Sequence, residues 1–113
     1  MHILIVDDEP DIANIIADTL DLEGHTTVTA HSGLRALQVL EAQQPEIIFL
    51  DLMMYPMSGQ EVLERLAQQG RRASYRVIVM SAGLGLPEVA TRVNADAFLA
   101  KPFDLDEIVA LLH

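Results

Sequence analysis

The sequence predicts an α/β protein: a doubly wound, five-stranded parallel sheet flanked by helices on both faces. Two observations carry the prediction. Short apolar, often β-branched runs alternate with amphipathic helical segments, β then α, five times along the chain. Most of those runs are continuous rather than alternating in polarity, as strands buried on both faces of a parallel sheet require. Such units join by right-handed crossovers.

Four strands are strongly marked, each with a polar or charged residue at its carboxyl end. Ile3-Leu4-Ile5-Val6 runs into Asp7-Asp8, Ile47-Ile48-Phe49-Leu50 into Asp51, Val77-Ile78-Val79-Met80 into Ser81, and Ala97-Phe98-Leu99-Ala100 into Lys101. A fifth, Thr26-Thr27-Val28-Thr29, is more polar and suits an edge. The first helix is marked by Ile12, Ile15, Ile16, Thr19, Leu20 and Leu22, with Gly24 as its stop. Ser32 caps a second helix bearing Leu34, Leu37, Val39 and Leu40, which ends before Pro45. Ser58 and Glu61 have capping-box spacing ahead of Val62, Leu63 and Leu66. A short fourth helix spans Leu86 to Val93 with Pro87 in its first turn. Asp104 and Glu107 form another capping pair, ahead of Ile108, Leu111 and Leu112. Arg71 and Arg72, with Arg76, read as solvated loop arginines.

Bulk properties narrow the function. The 113 residues make one domain, half of them apolar, with a mean hydropathy of +0.26. Seventeen acidic residues against seven basic give a net charge of −10, which disfavours direct contact with nucleic acid or an anionic membrane. The absence of cysteine excludes disulfides and thiolate metal sites and suits a cytoplasmic setting. No stretch has the length of a membrane span or the pattern of a signal peptide.

In a doubly wound sheet, ligands bind outside the carboxyl ends of the strands. Asp7, Asp8, Asp51, Ser81 and Lys101 therefore converge on one pocket although they are far apart in the chain. Singly, each has an ordinary reading as a turn or strand-end residue. Together, three carboxylates at one point are costly unless a cation uses them. An all-oxygen donor set points to Mg²⁺ or Mn²⁺, which admits a phosphoryl group to an otherwise repulsive site. A carboxylate can itself be the phosphoryl acceptor. None of the four histidines is placed at a strand's carboxyl end, which argues against Zn²⁺ or Cu²⁺.

These motifs resemble, over the whole chain, the response-regulator receiver domain of two-component signalling, with its flavodoxin-like (βα)5 fold. The matching segments are Asp7-Asp8-Glu9-Pro10-Asp11, Asp51-Leu52-Met53-Met54, Ser81-Ala82 and Lys101-Pro102-Phe103, with Phe98 three residues before the lysine. The resemblance implies that Asp51 is the phosphoacceptor and that Asp7, Asp8, Asp51 and the Met53 carbonyl hold the metal. Lys101 and Ser81 would bind phosphoryl oxygens, Phe98 would follow Ser81 in a switch, and Met53 and Gly83 would tune the phosphate's lifetime. The implied donor is a sensor histidine kinase or a phosphotransfer protein. The responding surface would be helix 4, strand 5 and helix 5, read by a downstream protein or a fused effector domain. Residues 1–113 are expected to be the receiver alone, with no effector domain in the sequence.

Three departures stand out. The family's proline four residues after the phosphoacceptor is replaced by Tyr55, with Pro56 one later, although Gly59 keeps its place. Tyr55 reads as an exposed loop aromatic. The segment from Ser81 to Lys101 is about two residues short, the loss falling within Ala82 to Pro87. The last helix, Leu105 to His113, has no Arg or Lys for an ion-paired dimer. Two other readings remain: a degenerate receiver acting as a phosphorylation-independent binding module, and an aspartate-nucleophile phosphatase. The second would need a general acid two residues after Asp51, where Met53 stands.

Overall fold

The computed structural model describes residues 1–83 and 85–112. Leu84, within the short segment after Ser81, and His113, at the end of the expected last helix, lie outside the described residues. The elements are β1 (His2–Val6), α1 (Pro10–Leu22), β2 (Thr26–Ala30), α2 (Gly33–Ala42), β3 (Ile47–Asp51), α3 (Gly59–Gln68), β4 (Arg76–Ser81), α4 (Leu86–Arg92), β5 (Ala97–Ala100) and α5 (Leu105–Ala110), with a 3-10 turn at Arg72–Ser74. The five strands form one parallel sheet in the order β2-β1-β3-β4-β5. The polar run at Thr26 is an edge strand, as its composition required.

The two-residue period of the strands divides the core. Ile3, Ile5, Phe49, Ile78 and Met80 face α1 and α5, together with Ile16, Leu20 and Ile108. Leu4, Val6, Ile48, Leu50, Val77 and Val79 face α2, α3 and α4, with Leu40, Leu66 and Ala90. Chain order reverses at β1, which lies between β2 and β3, so Asp7 and Asp51 leave adjacent strands at the switch point.

The helix start and stop signals largely hold, but α5 ends at Ala110, short of the expected Leu111 and Leu112, and Ser58 caps α3 without a return bond from Glu61 among the described residues. Gly24, at φ +91°, ends α1 in the left-handed conformation a glycine adopts freely, and the His25 N–H closes on the Leu20 carbonyl at 3.1 Å. Ser32 Oγ accepts from Arg35 N at 3.1 Å, and Ser58 Oγ from Glu61 N at 3.2 Å. Glu107 reaches back to the Asp104 N–H at 3.1 Å.

Three expectations are corrected. The buried stripe of α1 is Ala13, Ile16, Ala17 and Leu20, spaced at i, i+3, i+4 and i+7, while Ile15 is 49% exposed and Leu22 90%. Small alanines seat the helix on the sheet, and a search for bulky residues overlooks them. Leu34 of α2 is likewise outside the core. Arg71 and Arg72 are not solvated loop residues. Arg71 donates to the Leu40 carbonyl at the end of α2 and, at 2.6 Å, to the hydroxyl of buried Tyr75. Arg72 donates to the carbonyls of Tyr75 and Asn94 and pairs with Asp96 at 3.6 Å. These side chains stitch the amino-terminal rim of the sheet, satisfying carbonyls that the turns leave over.

Candidate phosphoacceptor site

Asp7 follows β1, Asp51 and Ser81 end β3 and β4, and Lys101 follows β5. The parallel sheet brings all four to its carboxyl edge. Asp7 is fully buried, and Asp51 and Ser81 are nearly so, while Asp8 is exposed at the mouth.

Short contacts fix the two buried carboxylates. Asp7 Oδ1 accepts from the Glu9 N–H at 2.9 Å, and Asp51 Oδ1 accepts from the Met53 N–H at 2.9 Å. The remaining oxygens turn to Lys101, whose Nζ lies 2.8 Å from Asp7 Oδ2 and 3.2 Å from Asp51 Oδ2. Asp7 Oδ2 is fully buried and has the Lys101 ammonium as its one polar partner among the described residues, which leaves this carboxylate oxygen lone-pair capacity for a cation. One oxygen from each of Asp7, Asp8 and Asp51 falls within a 4.8 Å cluster. These hard oxygen donors fit Mg²⁺ or Mn²⁺, and no thiolate or imidazole stands among them.

The electrostatics follow from burial and crowding. Desolvation pushes the Asp51 carboxyl above its ordinary 3.8, the Met53 N–H pulls it back, the Asp7 charge adds to the rise and Lys101 opposes it. Burial is also the largest influence on Lys101 and pulls it down, yet the two carboxylates together outweigh it and hold the ammonium above 10.5.

Ser81 Oγ accepts from the Gly83 N–H at 3.1 Å, and its own O–H has no acceptor among the described residues. Beside it opens a groove of about 350 Å³ lined by Leu52, Met53, Ser81, Gly83, Leu86 and Val89. Met53 and Gly83 are exposed at this mouth, and Phe98 stands 43% exposed on β5. Tyr55 is 88% exposed and sits in solvent, as a loop aromatic does. Because β2 runs to Ala30, His31 does adjoin a strand's carboxyl end, which the shorter reading of that strand missed; it is exposed and outside the carboxylate cluster.

The sequence reading missed a second surface feature. Ile12, Ile15, Pro102, Phe103 and Leu105 line an apolar groove of about 310 Å³ against Lys101. Its signal was available: Ile12 and Ile15 are spaced i, i+3 but lie off the Ala13-Ile16-Leu20 stripe.

The sequence profile of the response regulator receiver domain matches residues 3–113. The chain belongs to this receiver-domain family. Sporulation initiation phosphotransferase F of Bacillus subtilis is 35% identical over 108 residues, covering 94% of this chain and 86% of that protein. The DNA-binding dual master transcriptional regulator RpaA of Synechocystis is 32% identical over 96% of this chain, but the receiver spans only 46% of it. Among solved structures, the Francisella response regulator 1452 receiver domain superposes with a TM-score of 0.88 at 27% identity, over 98% of this chain and 92% of that one. The response regulator TrrA of Thermotoga maritima, in complex with Mg²⁺–BeF, gives 0.85 at 28% identity, over 98% and 95%. The receiver domain is a signalling module rather than a metabolic enzyme, and its acidic triad is suited to a metal.

Proposed function

We propose that this receiver accepts a phosphoryl group on Asp51 from the phosphohistidine of a sensor histidine kinase or phosphotransfer protein. The observation that carries the proposal is the buried Asp51 carboxylate, oriented by the Met53 N–H and facing Lys101 beside two further acids. The carboxylate attacks phosphorus, an O–P bond forms, the P–N bond to the donor imidazole breaks, and the imidazole leaves neutral after taking up a proton. The protein's contribution is positioning and charge. Asp7, Asp8, Asp51 and the Met53 carbonyl would hold Mg²⁺, which when bound neutralises charge on the phosphoryl oxygens. Lys101 pairs with one of those oxygens, and the Ser81 hydroxyl donates to another. Turning Ser81 toward the phosphoryl group breaks its bond from Gly83 N–H. That break starts the switch, with Phe98 following and the surface of α4, β5 and α5 responding.

The apolar groove around Ile15 and Phe103 lies against Lys101 and supplies a docking site for the phosphohistidine partner. Met53 and Gly83 offer no polar side chain to orient water, so the aspartyl phosphate should last minutes; a half-life of seconds after donor removal contradicts this. The test of the central step is intact mass after incubation with acetyl phosphate and Mg²⁺. The wild type gains one phosphoryl group and Asp51→Asn gains none. Absence of a gain in the wild type would leave a binding module that works without phosphorylation.

A further inference from the structure

Gly59, the first residue of α3, is buried, and it is not among the glycines with positive φ. Its backbone conformation therefore makes no demand for glycine, but space does. A Cβ at this position would lie 2.3 Å from the Asp51 carbonyl oxygen and 3.0 Å from both the Asp51 carbonyl carbon and Leu52 Cα. All three are main-chain atoms, which no rotamer change can move aside. The Gly59 N–H faces the Leu52 carbonyl at 3.4 Å, so the start of α3 touches the Leu52–Met53 peptide as well as the Asp51–Leu52 peptide beside it.

That peptide is hinged to the site on both sides. The Leu52 N–H donates to the Met80 carbonyl at 2.9 Å, tying the loop to β4. One residue on, the Met53 N–H orients Asp51 Oδ1. Gly33 provides the contrast: a Cβ there would meet Met57 Cγ at 2.9 Å and its Sδ and Cβ at 3.0 Å, a milder clash with one side chain whose outer atoms can turn away, and with no main-chain atom among the three.

We infer that Gly59 is a positioning residue for phosphoryl transfer: its missing side chain lets α3 press on the Asp51–Leu52 peptide and holds the Met53 N–H and carbonyl in register with the Asp51 carboxylate. The inference rests on the proposed phosphoacceptor role. Relieving a 2.3 Å contact needs a shift of about 1 Å, and misplacement on that scale costs up to about 100-fold in rate.

The experiment compares wild type, Gly59→Ala and Gly33→Ala. It reads phosphorylation at varied acetyl phosphate, Mg²⁺ affinity by calorimetry, and the Met53 amide proton resonance. In Gly59→Ala the maximal rate should fall roughly 10- to 100-fold. Its half-saturating acetyl phosphate should change little, Mg²⁺ should bind about tenfold more weakly, and the Met53 amide should move upfield as its carboxylate bond is lost. Gly33→Ala should lose stability while keeping all of these. Should Gly59→Ala unfold in buffer, the readouts are repeated in trimethylamine N-oxide, which favours the compact state. Wild-type behaviour in folded Gly59→Ala overturns the inference. So do equal losses in Gly33→Ala, or failure of Gly59→Ala to fold even in the osmolyte, which makes position 59 a stability requirement only. If the wild type takes up no phosphoryl group, the phosphoacceptor reading fails instead, and the Mg²⁺ and amide readouts still judge Gly59.

Discussion

Lys101 holds two buried carboxylates with a single ammonium, at 2.8 and 3.2 Å. Removing it leaves both charges uncompensated, so Lys101→Ala should cost about 3–5 kcal/mol in urea unfolding without divalent ions. A loss under about 1 kcal/mol would show that solvent already screens the pair. The raised pKa of Lys101 means that its contribution is complete below 10.5 and fades as pH rises through the higher folded value. Asp51 is also raised, so the folded state favours its neutral form: that contribution is present below 3.8 and lost as pH rises through the folded pKa. Metal-free Asp51→Asn should therefore melt above the wild type at neutral pH, with the gap closing below 3.8. Equal melting temperatures at neutral pH would mean that Lys101 already offsets the burial of the charge. The five polar residues at the carboxyl edge were legible because each ends an apolar run. That Lys101 reaches Asp7 as closely as Asp51 depends on side-chain placement, which spacing along the chain does not encode.

At the scale of elements, local chemistry made the helices legible: Ser32, Ser58 and Gly24 stop and start them through hydrogen bonds within a few residues. Ser32→Ala should cost about 1 kcal/mol of stability, measured by thermal unfolding. The Arg71 and Arg72 clamps were not legible, because their partners lie up to 31 residues away and are mostly carbonyls, to which any residue type contributes. Arg72 fastens the start of β4 to the turn between α4 and β5, where Asp96 also accepts from the Val77 N–H at 2.7 Å. Arg72→Ala should lose about 1.5–3 kcal/mol and speed amide exchange at Val77 and Asp96. Unchanged exchange there would show that the turn is held by the strands alone.

Across the whole molecule, charge and apolar surface are unevenly placed. Asp7, Asp8, Glu9, Asp11, Asp18, Asp21 and Glu23 precede the first lysine or arginine, Arg35, and Asp104, Asp106 and Glu107 open the last helix. The Ile12–Ile15–Phe103–Leu105 groove therefore lies among segments that are acidic and suits a partner with a basic rim. Ile15→Asp should slow transfer from a phosphohistidine donor at least tenfold and leave acetyl phosphate labelling unchanged. Equal slowing with both donors would place the defect in the site rather than in docking. The fold itself was legible because five repeats of one pattern leave few arrangements. The groove was not, since an exposed Ile and a buried one look alike until the Ala13–Ile16–Leu20 stripe takes the core side.

The account stands on Asp51 carrying the phosphoryl group. Borohydride reduction of the acetyl phosphate-treated protein, followed by peptide mass mapping, converts an aspartyl phosphate to homoserine and reads its position directly. Homoserine at position 51 alone is the predicted result. Homoserine at Asp7 or Asp8, or a labelled protein with none at 51, would contradict it.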